Sequence, residues 1–275
     1  MTFARVNGLD LYYEEHGSGD PLLLIQGFGG NTVAWGPLVP ALADRFRIIA
    51  FDNRDSGRSS QAPGAYTIAD MADDAVGLLE ALGVPSAHVL GASMGGMIAQ
   101  ESALRWPHKV RALILACTTC GGPRSAGWDQ LCQRLDLVRE LREMPAPDSE
   151  LVQEQLSWMF SPEFLANPGP AFQDFILSTL QYPAPLEGLK RQAEAIRRHD
   201  TLDRLPQIAA PTLVIAGEDD PLILAENSRI LAERIRGAQL ILYPRLRHGF
   251  NLEDSERVHA DILSFLERAR TLASA

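Results

Sequence analysis

Ala87-His88-Val89-Leu90-Gly91-Ala92-Ser93-Met94-Gly95-Gly96 changes periodicity halfway along its length. Ala87–Leu90 is a short apolar run, expected as a strand. Met94–Arg105 carries a helical pattern that stops before Pro107. Between them stands Gly91-Ala92-Ser93-Met94-Gly95, a G-x-S-x-G run with a strand before it and a helix after it, the context that gives the motif meaning. A chance Gly/Ser turn would lack those flanks. So sharp a turn needs small neighbours, and Gly91 and Gly95 remove side chains that would clash across it. The expected result is a strained elbow that presents Ser93 Oγ above the carboxyl edge of a sheet. The N–H groups of the following helix face the same spot and suit a developing oxyanion.

Outward from this elbow the same alternation recurs. Phe3–Val6 and Leu9–Glu14 read as a hairpin turning at Asn7-Gly8. Leu22–Gln26 and Phe46–Phe51 are apolar runs of buried-strand type, with a short helix expected over Trp35–Leu42. Thr67–Leu82 has apolar residues at helical spacing, Thr67 as N-cap and Gly83 as the stop. Ala112–Cys117, Thr212–Ala216 and Gln239–Tyr243 are further strands, and Ser255–Arg268 is a closing helix with Val258, Ile262, Phe265 and Leu266 inward. Strands alternating with helices imply right-handed crossovers and a mainly parallel sheet covered on both faces.

Between about Gly121 and Ile208 the rhythm breaks. No strand run appears, and four helical stretches follow: Leu131 to Leu141, Leu151–Phe160, Phe172–Leu180 and Leu186–Ile196. Pro145, Pro147, Pro168, Pro170, Pro183 and Pro185 punctuate them. The expected organisation is a core of residues 1–121 and 209–275 with a helical cap over 122–208. Most of the insert's aromatics, Trp128, Trp158, Phe160, Phe164, Phe172, Phe175 and Tyr182, are expected in its own core, a minority facing a substrate cavity.

A serine hydroxyl attacks only when a base takes its proton. Of the six histidines, His248 is best placed, after the last strand and before the closing helix. His16, His88, His108, His199 and His259 are assigned structural or solvated roles. A carboxylate must fix the histidine's tautomer. Gly217-Glu218-Asp219-Asp220-Pro221 follows the Thr212–Ala216 strand. Asp220 is the choice, because the loop should turn back towards His248 three residues past Gly217; Asp219 is the alternative. Thr118 to Pro123 offers no carboxylate after the preceding strand. An oxyanion hole needs two donors. The Met94 amide supplies one. The Phe28 amide in Gly27-Phe28-Gly29-Gly30 is the candidate for the other. That glycine loop has no Lys-Ser/Thr after it and no GxGxxG, so a nucleotide site is disfavoured. Asp52–Ser59, dense in charge, is expected to brace it.

The chain has 275 residues, 46% hydrophobic and 22% charged, ample for a sizeable core. The net charge of −10 argues against nucleic acid, which needs a basic face, and leaves no polybasic handle for an anionic membrane. Three cysteines suggest no disulfide framework. Cys117 and Cys120 have CxxC spacing, but there is no second pair and no nearby histidine, so strand-end packing is preferred over metal or redox chemistry. No apolar run approaches a membrane span, and Met1 to His16 lacks a signal-peptide pattern. The expectation is a cytoplasmic, metal-free protein, monomer or homodimer, whose partner is a small-molecule substrate.

Taken together, the Gly27–Gly30 loop, the Asp52–Ser59 loop, the Ser93 elbow, Asp220 before Pro221, and His248 resemble the α/β-hydrolase superfamily over nearly the whole chain. The resemblance implies an α/β fold: an eight-stranded, mostly parallel sheet flanked by helices, its first two strands a hairpin, with a helical cap inserted after the sixth strand. Within the superfamily the chain is similar to the capped esterase, lactonase and C–C hydrolase group. Arg54-Asp55-Ser56-Gly57-Arg58-Ser59 is also similar to methylesterases of polyketide tailoring. Two positions depart from the pattern. Gln26 stands where the oxyanion loop often begins with histidine, and can still brace it; Asp55 stands where many members have glycine. Serine at 93 disfavours dehalogenase and epoxide hydrolase chemistry, which usually runs through aspartate in this superfamily.

The expected function is hydrolysis of a small to medium, largely apolar ester or lactone, with no cofactor. Ser93 attacks, His248 is base then acid, Asp220 orients it, and the Phe28 and Met94 amides hold the oxyanion. Trp35, Trp128, Trp158, Leu222 and Phe250, with Met94, are candidates for the pocket wall. Alternatives on the same residues are a C–C bond or thioester hydrolase and cofactor-free oxygen or peracid chemistry. A non-enzyme alternative is a ligand-binding receptor.

Overall fold

The strand runs of the sequence meet in one sheet in the computed structural model, which describes residues 1–144 and 149–273. Among the described residues the strands are β1 (Thr2–Val6), β2 (Leu9–His16), β3 (Asp20–Ile25), β4 (Phe46–Phe51), β5 (Ala87–Ala92), β6 (Val110–Ala116), β7 (Thr212–Gly217) and β8 (Gln239–Tyr243). Their spatial order is β1-β2-β4-β3-β5-β6-β7-β8. β1, β2 and β4 pair antiparallel, and every pairing from β4 to β8 is parallel. The β1–β2 hairpin turns at Asn7 and Gly8, with φ of 49° and 81°. Two successive left-handed residues match the twist of a two-residue hairpin, which is why Asn-Gly is favoured there.

Both faces of the sheet are covered. Along β3, Leu23 and Ile25 join one apolar cluster while Leu22 and Leu24 join the other. This is the alternation of a strand buried on both sides. The first face is packed by α2 (Ile68–Ala81) and α3 (Met94–Arg105), the second by α1 (Leu38–Leu42) and α11 (Ser255–Ala273). α2 begins with a capping box: the Thr67 side chain accepts from the Asp70 amide, and the Asp70 carboxylate accepts from the Thr67 amide. On α11, Val258, Ile262, Phe265 and Leu266 are all buried, as their spacing predicts.

Between β6 and β7 lies the helical insert: α4 (Trp128–Glu143), α5 (Ser149–Met159), α6 (Pro162–Ala166), α7 (Pro170–Gln181) and α8 (Leu186–Arg197). Its two ends meet at an isolated β-bridge between Gly121 and Asp200. Pro145 and Pro147 lie outside the described residues. α9 (Ala225–Arg234) and α10 (Phe250–Glu253) complete the chain.

Two local expectations change, and one helix appears where none was expected. The helix expected over Trp35–Leu42 splits into a 3-10 turn over Thr32–Trp35 and α1, because Gly36 and Pro37 interrupt it. The segment 225–234 is a full helix that carries no regular apolar stripe, since its buried face is Ala225, Asn227, Ser228 and Leu231. Cys117 lies just past β6, in a left-handed conformation with φ 41°. No helix among the described residues is long and apolar enough to cross a membrane.

Candidate active site

Ser93 sits at the junction of β5 and α3 with φ 55° and ψ −121°, a conformation that L-residues rarely adopt and that costs about 1–3 kcal/mol. The surroundings hold it there. The Ser93 amide donates to the Ala116 carbonyl at 2.9 Å, and the Thr118 hydroxyl donates to the Ser93 carbonyl at 2.7 Å. A Cβ on Gly91 would lie 2.1 Å from the Gly95 carbonyl oxygen, and one on Gly95 would lie 2.0 Å from that of Ile25. Both glycines of the motif are therefore steric requirements. Gly96 is a third, since its Cβ position is filled by Thr118.

Gly27 faces the serine: a Cβ there would lie 3.0 Å from Ser93 Cβ and 3.5 Å from its Oγ. The glycine loop thus runs directly over the elbow. The Gly27 amide donates to its neighbour's side chain, Gln26 Oε1, at 3.0 Å, so Gln26 braces the loop as its polarity suggests. The Gly30 amide donates to the Gly27 carbonyl at 3.1 Å, and the Gly29 amide to Gln192 Oε1 at 2.8 Å. The Phe28 amide meets no acceptor among the described residues. The Met94 amide belongs to the first turn of α3, where no intrahelical acceptor exists.

The Asp52–Ser59 segment does brace this loop. Asn53 Nδ2 donates to the Gln26 carbonyl at 2.9 Å. The fully buried Asp52 carboxylate accepts from the Thr32 amide at 2.7 Å and from Arg58 Nε at 2.9 Å. The Arg58 guanidinium is itself held between the rings of Tyr12 and Tyr182, 3.7 and 4.4 Å from their centroids.

On the other side, Asp220 and His248 form a buried pair, with Asp220 Oδ2 2.7 Å from His248 Nδ1. The other oxygen, Oδ1, accepts from the Leu222 and Ile223 amides at 2.8 and 3.0 Å. The carboxylate is therefore fully directed, one oxygen to the ring and one to the backbone. Asp219 is exposed, and its amide donates to the Leu246 carbonyl at 3.0 Å; it does not meet the histidine. The two loops are stitched edge to edge. A Cβ on Gly217 would lie 2.3 Å from the Leu246 oxygen and 2.4 Å from that of Arg247. Burial by itself pushes His248 down, but the Asp220 carboxylate and the Cys117 thiol outweigh it and hold the ring well above the ordinary histidine range.

The helical insert reaches both halves. The Gly249 amide donates to the Met159 carbonyl at 2.6 Å, and Arg247 Nη1 donates to the Ser157 carbonyl. Glu253 accepts from the Arg247 and Ser161 amides at 2.8 and 2.9 Å. Arg134 donates to the Pro221 carbonyl, and its guanidinium lies 5.1 Å from the Trp158 ring centroid. These contacts put Trp158 beside the acid loop.

The wall candidates divide. Trp128 and Leu222 are half-buried at the margin of the first core cluster. Trp35 and Phe250 are buried, as Trp158 is, and belong to the second cluster. Phe250 stacks on Tyr243 at 5.4 Å, and Trp35 shares its cluster with Leu38 and Leu42 of α1. The remaining histidines lie elsewhere. His88, His199 and His259 are buried, and desolvation holds each at about 4. His16 pairs with Glu14 at 3.3 Å, and His108 is exposed. Sequence reading passed over Cys117 and Thr118 as contributors to the site. The left-handed backbone that turns Cys117 towards His248 leaves no mark in composition. Cys120 contacts Ser125 Oγ at 3.4 Å instead.

Comparison with known proteins agrees with this architecture. The family model for the alpha/beta hydrolase fold matches residues 20–255. The sequence is 31% identical over 265 residues to "Putative carbamate hydrolase RutD" of Azorhizobium caulinodans, covering 96% of this chain and 98% of that one. The fold is similar to a thermophilic esterase from Thermogutta terrifontis, with TM-score 0.84, 27% identity and 98% of each chain covered. It is also similar to the enol-lactonase from Burkholderia xenovorans LB400, with TM-score 0.83, 25% identity, and 97% of this chain and 100% of that chain covered.

Proposed function

The chain belongs to the alpha/beta hydrolase family, and from that premise we propose that it is a serine hydrolase that cleaves a small to medium, largely apolar carboxylic ester or lactone through an acyl-enzyme. Ser93 Oγ attacks the carbonyl carbon as His248 Nε2 takes its proton. Asp220 keeps the Nδ1 proton on the imidazole and stabilises the imidazolium. Negative charge that develops on the carbonyl oxygen is received by the Phe28 and Met94 amides. Collapse of the tetrahedral intermediate expels the alcohol, which takes the proton from His248. Water, activated by the same histidine, then releases the acid. No cofactor enters this scheme. The helical insert acts as a cap over the site, with Trp128, Trp158 and Leu222 at its wall.

One observation carries this reading. The Asp220–His248 pair, with every carboxylate oxygen directed, stands on the sheet edge that also presents Ser93 on a strained turn beneath a glycine loop with a free amide. A structural role would not require Ser93 to hold that backbone. The esterase and enol-lactonase of similar fold support the choice of ester and lactone.

A carbamate is the second reading, favoured by the name of the relative at 31% identity. Its carbonyl would be attacked by the same groups, the alcohol would leave as before, and the serine would carry a carbamoyl group in place of an acyl group. The deciding experiment is burst-phase hydrolysis of p-nitrophenyl acetate, butyrate and octanoate beside a p-nitrophenyl carbamate, for wild type and Ser93→Ala. The expected result is a burst with turnover on esters, reduced in the variant by on the order of 10⁴- to 10⁶-fold. Turnover confined to the carbamate would favour the second reading. No turnover on any substrate by folded protein would remove both.

A further inference from the structure

We propose that Gln192, on the insert's last helix, is a positioning residue that sets the oxyanion loop through its bond to the Gly29 amide. The inference rests on the serine-hydrolase reading and deepens it.

The four amides of Gly27–Gly30 are engaged unequally. Gly27 donates to Gln26 Oε1 and Gly30 to the Gly27 carbonyl, both within the loop's own neighbourhood. Phe28 meets no acceptor among the described residues and is left for a ligand. The Gly29 amide, next in sequence to the free one, donates to an acceptor from outside the core, Gln192 Oε1 at 2.8 Å. That bond fixes the Phe28–Gly29 peptide plane on one side of the Phe28 Cα, and so limits the rotation of Phe28 that aims its own N–H from the other side. Gly29 is also in the left-handed region with φ 64°, so few intrinsic preferences oppose its rotation. The Gly30-to-Gly27 turn bond closes the loop, and the external bond to Gln192 fixes its central peptide.

Gln192 is equipped for this. It is fully buried. Its Nε2 donates to the Arg54 carbonyl and to Ser56 Oγ, each at 3.0 Å. Because Arg54 offers only an acceptor and Gly29 only a donor, the amide has one orientation that satisfies both ends. A buried side chain with its donors and acceptor all used is rigid, and removing it leaves several polar groups without partners.

The helix that carries Gln192 is seated on the same surface. Arg191 makes two bonds to the buried Asp55 carboxylate, at 2.8 and 2.7 Å. A Cβ on Gly188 would lie 2.6 Å from Asp55 Cβ, and one on Gly29 would lie 2.9 Å from Leu189 Cδ2. Arg191 therefore anchors α8 without touching the loop, whereas Gln192 connects the anchored helix to the Gly29 amide. This separation supplies a control.

The test compares Gln192→Met, close in size and without the hydrogen bonds, with Arg191→Lys, which loosens the helix but leaves the Gly29 bond. Two readouts are taken on each: labelling of Ser93 by a fluorophosphonate, followed as the intact-mass adduct, and the steady-state split of kcat and KM on p-nitrophenyl butyrate, with thermal midpoints for both variants. Phosphonylation develops charge on an oxygen in the same hole, so its rate reports that geometry. Gln192→Met is expected to label about 10-fold or more slowly and to lose kcat by a similar factor at nearly unchanged KM. Arg191→Lys, even with an equal loss of thermal midpoint, is expected to keep both rates within about 3-fold. Equal rates for wild type and Gln192→Met would overturn the proposal, as would Arg191→Lys losing as much rate as Gln192→Met. If wild-type Ser93 takes no label, the serine-hydrolase reading itself falls, an outcome distinct from the other two.

Discussion

α3 and α7 are each 12 residues long, and they are held in opposite ways. Every residue of α3 from Met94 to Ala103 is buried. None of the described side chains of α7 is fully buried, and Leu177 stands 58% exposed. α5 buries Trp158 alone. α8, in the same insert as α7, is pinned by Gln192 and Arg191. The contrast teaches where the molecule keeps precision. Groups that must meet a reacting carbonyl stand on elements whose every side is packed, where a displaced atom has no free space to move into. The insert meets the core on the oxyanion loop, the Asp52–Ser59 segment, the acid loop and the histidine loop. Its loosely packed elements are the ones free to vary in shape.

That contrast can be tested from its strongest side. Asp220→Asn should leave the fold intact and reduce kcat by on the order of 10⁴-fold, through loss of the imidazole's tautomer; near-normal turnover would remove Asp220 from the mechanism. Gly217→Ala forces a methyl into the Leu246 and Arg247 carbonyls and should cost more than about 3 kcal/mol in urea unfolding. An unchanged midpoint would show that the two loops are not in fact interlocked.

The pH profile should carry the mark of the buried pair. His248 lies above the ordinary histidine range and must be neutral to accept a proton. The acid limb of kcat/KM should therefore lie above pH 6.5. In Asp220→Asn, where only the Cys117 thiol is left to oppose burial, it should move down. A limb at or below pH 6.5 in wild type would contradict the charge balance described.

His88 runs the other way. Both its ring nitrogens lack partners, and it lies at about 4 when folded against about 6.5 unfolded. The unfolded chain then binds the extra proton between those values. Stability is present above pH 6.5 and is lost as pH falls through 4, by roughly 3 kcal/mol. His88→Leu should flatten the loss of thermal midpoint between pH 7 and pH 4. The smallest effect is expected on α7: Leu177→Ser should change stability by less than about 0.5 kcal/mol. A larger loss would mean that the outer insert is packed more tightly than its burial indicates.

Much of this was legible because local rules and global fold agree. Asn7-Gly8 closes a hairpin wherever it lies between two alternating strands. Thr67 with Asp70 starts a helix by its own hydrogen bonds. α9 was not legible. Its inward Asn227 accepts from the Ala126 amide and the Thr119 hydroxyl and donates to the Ala126 carbonyl. A buried polar face satisfied by a distant loop has no apolar period to detect.

The sequence by itself determined the alternating α/β order, the elbow at Ser93, and the chain positions of the acid and the histidine. These depend on spacing of a few residues, where backbone sterics and capping act without distant help. Only the tertiary structure decided which acid meets His248, that Cys117 and Thr118 flank the site, and that an insert residue 163 positions away in sequence holds the Gly29 amide. Such contacts join segments whose separation along the chain carries no information about their separation in space. They exist only once the sheet has brought the carboxyl ends of β3, β5, β6, β7 and β8 to one edge.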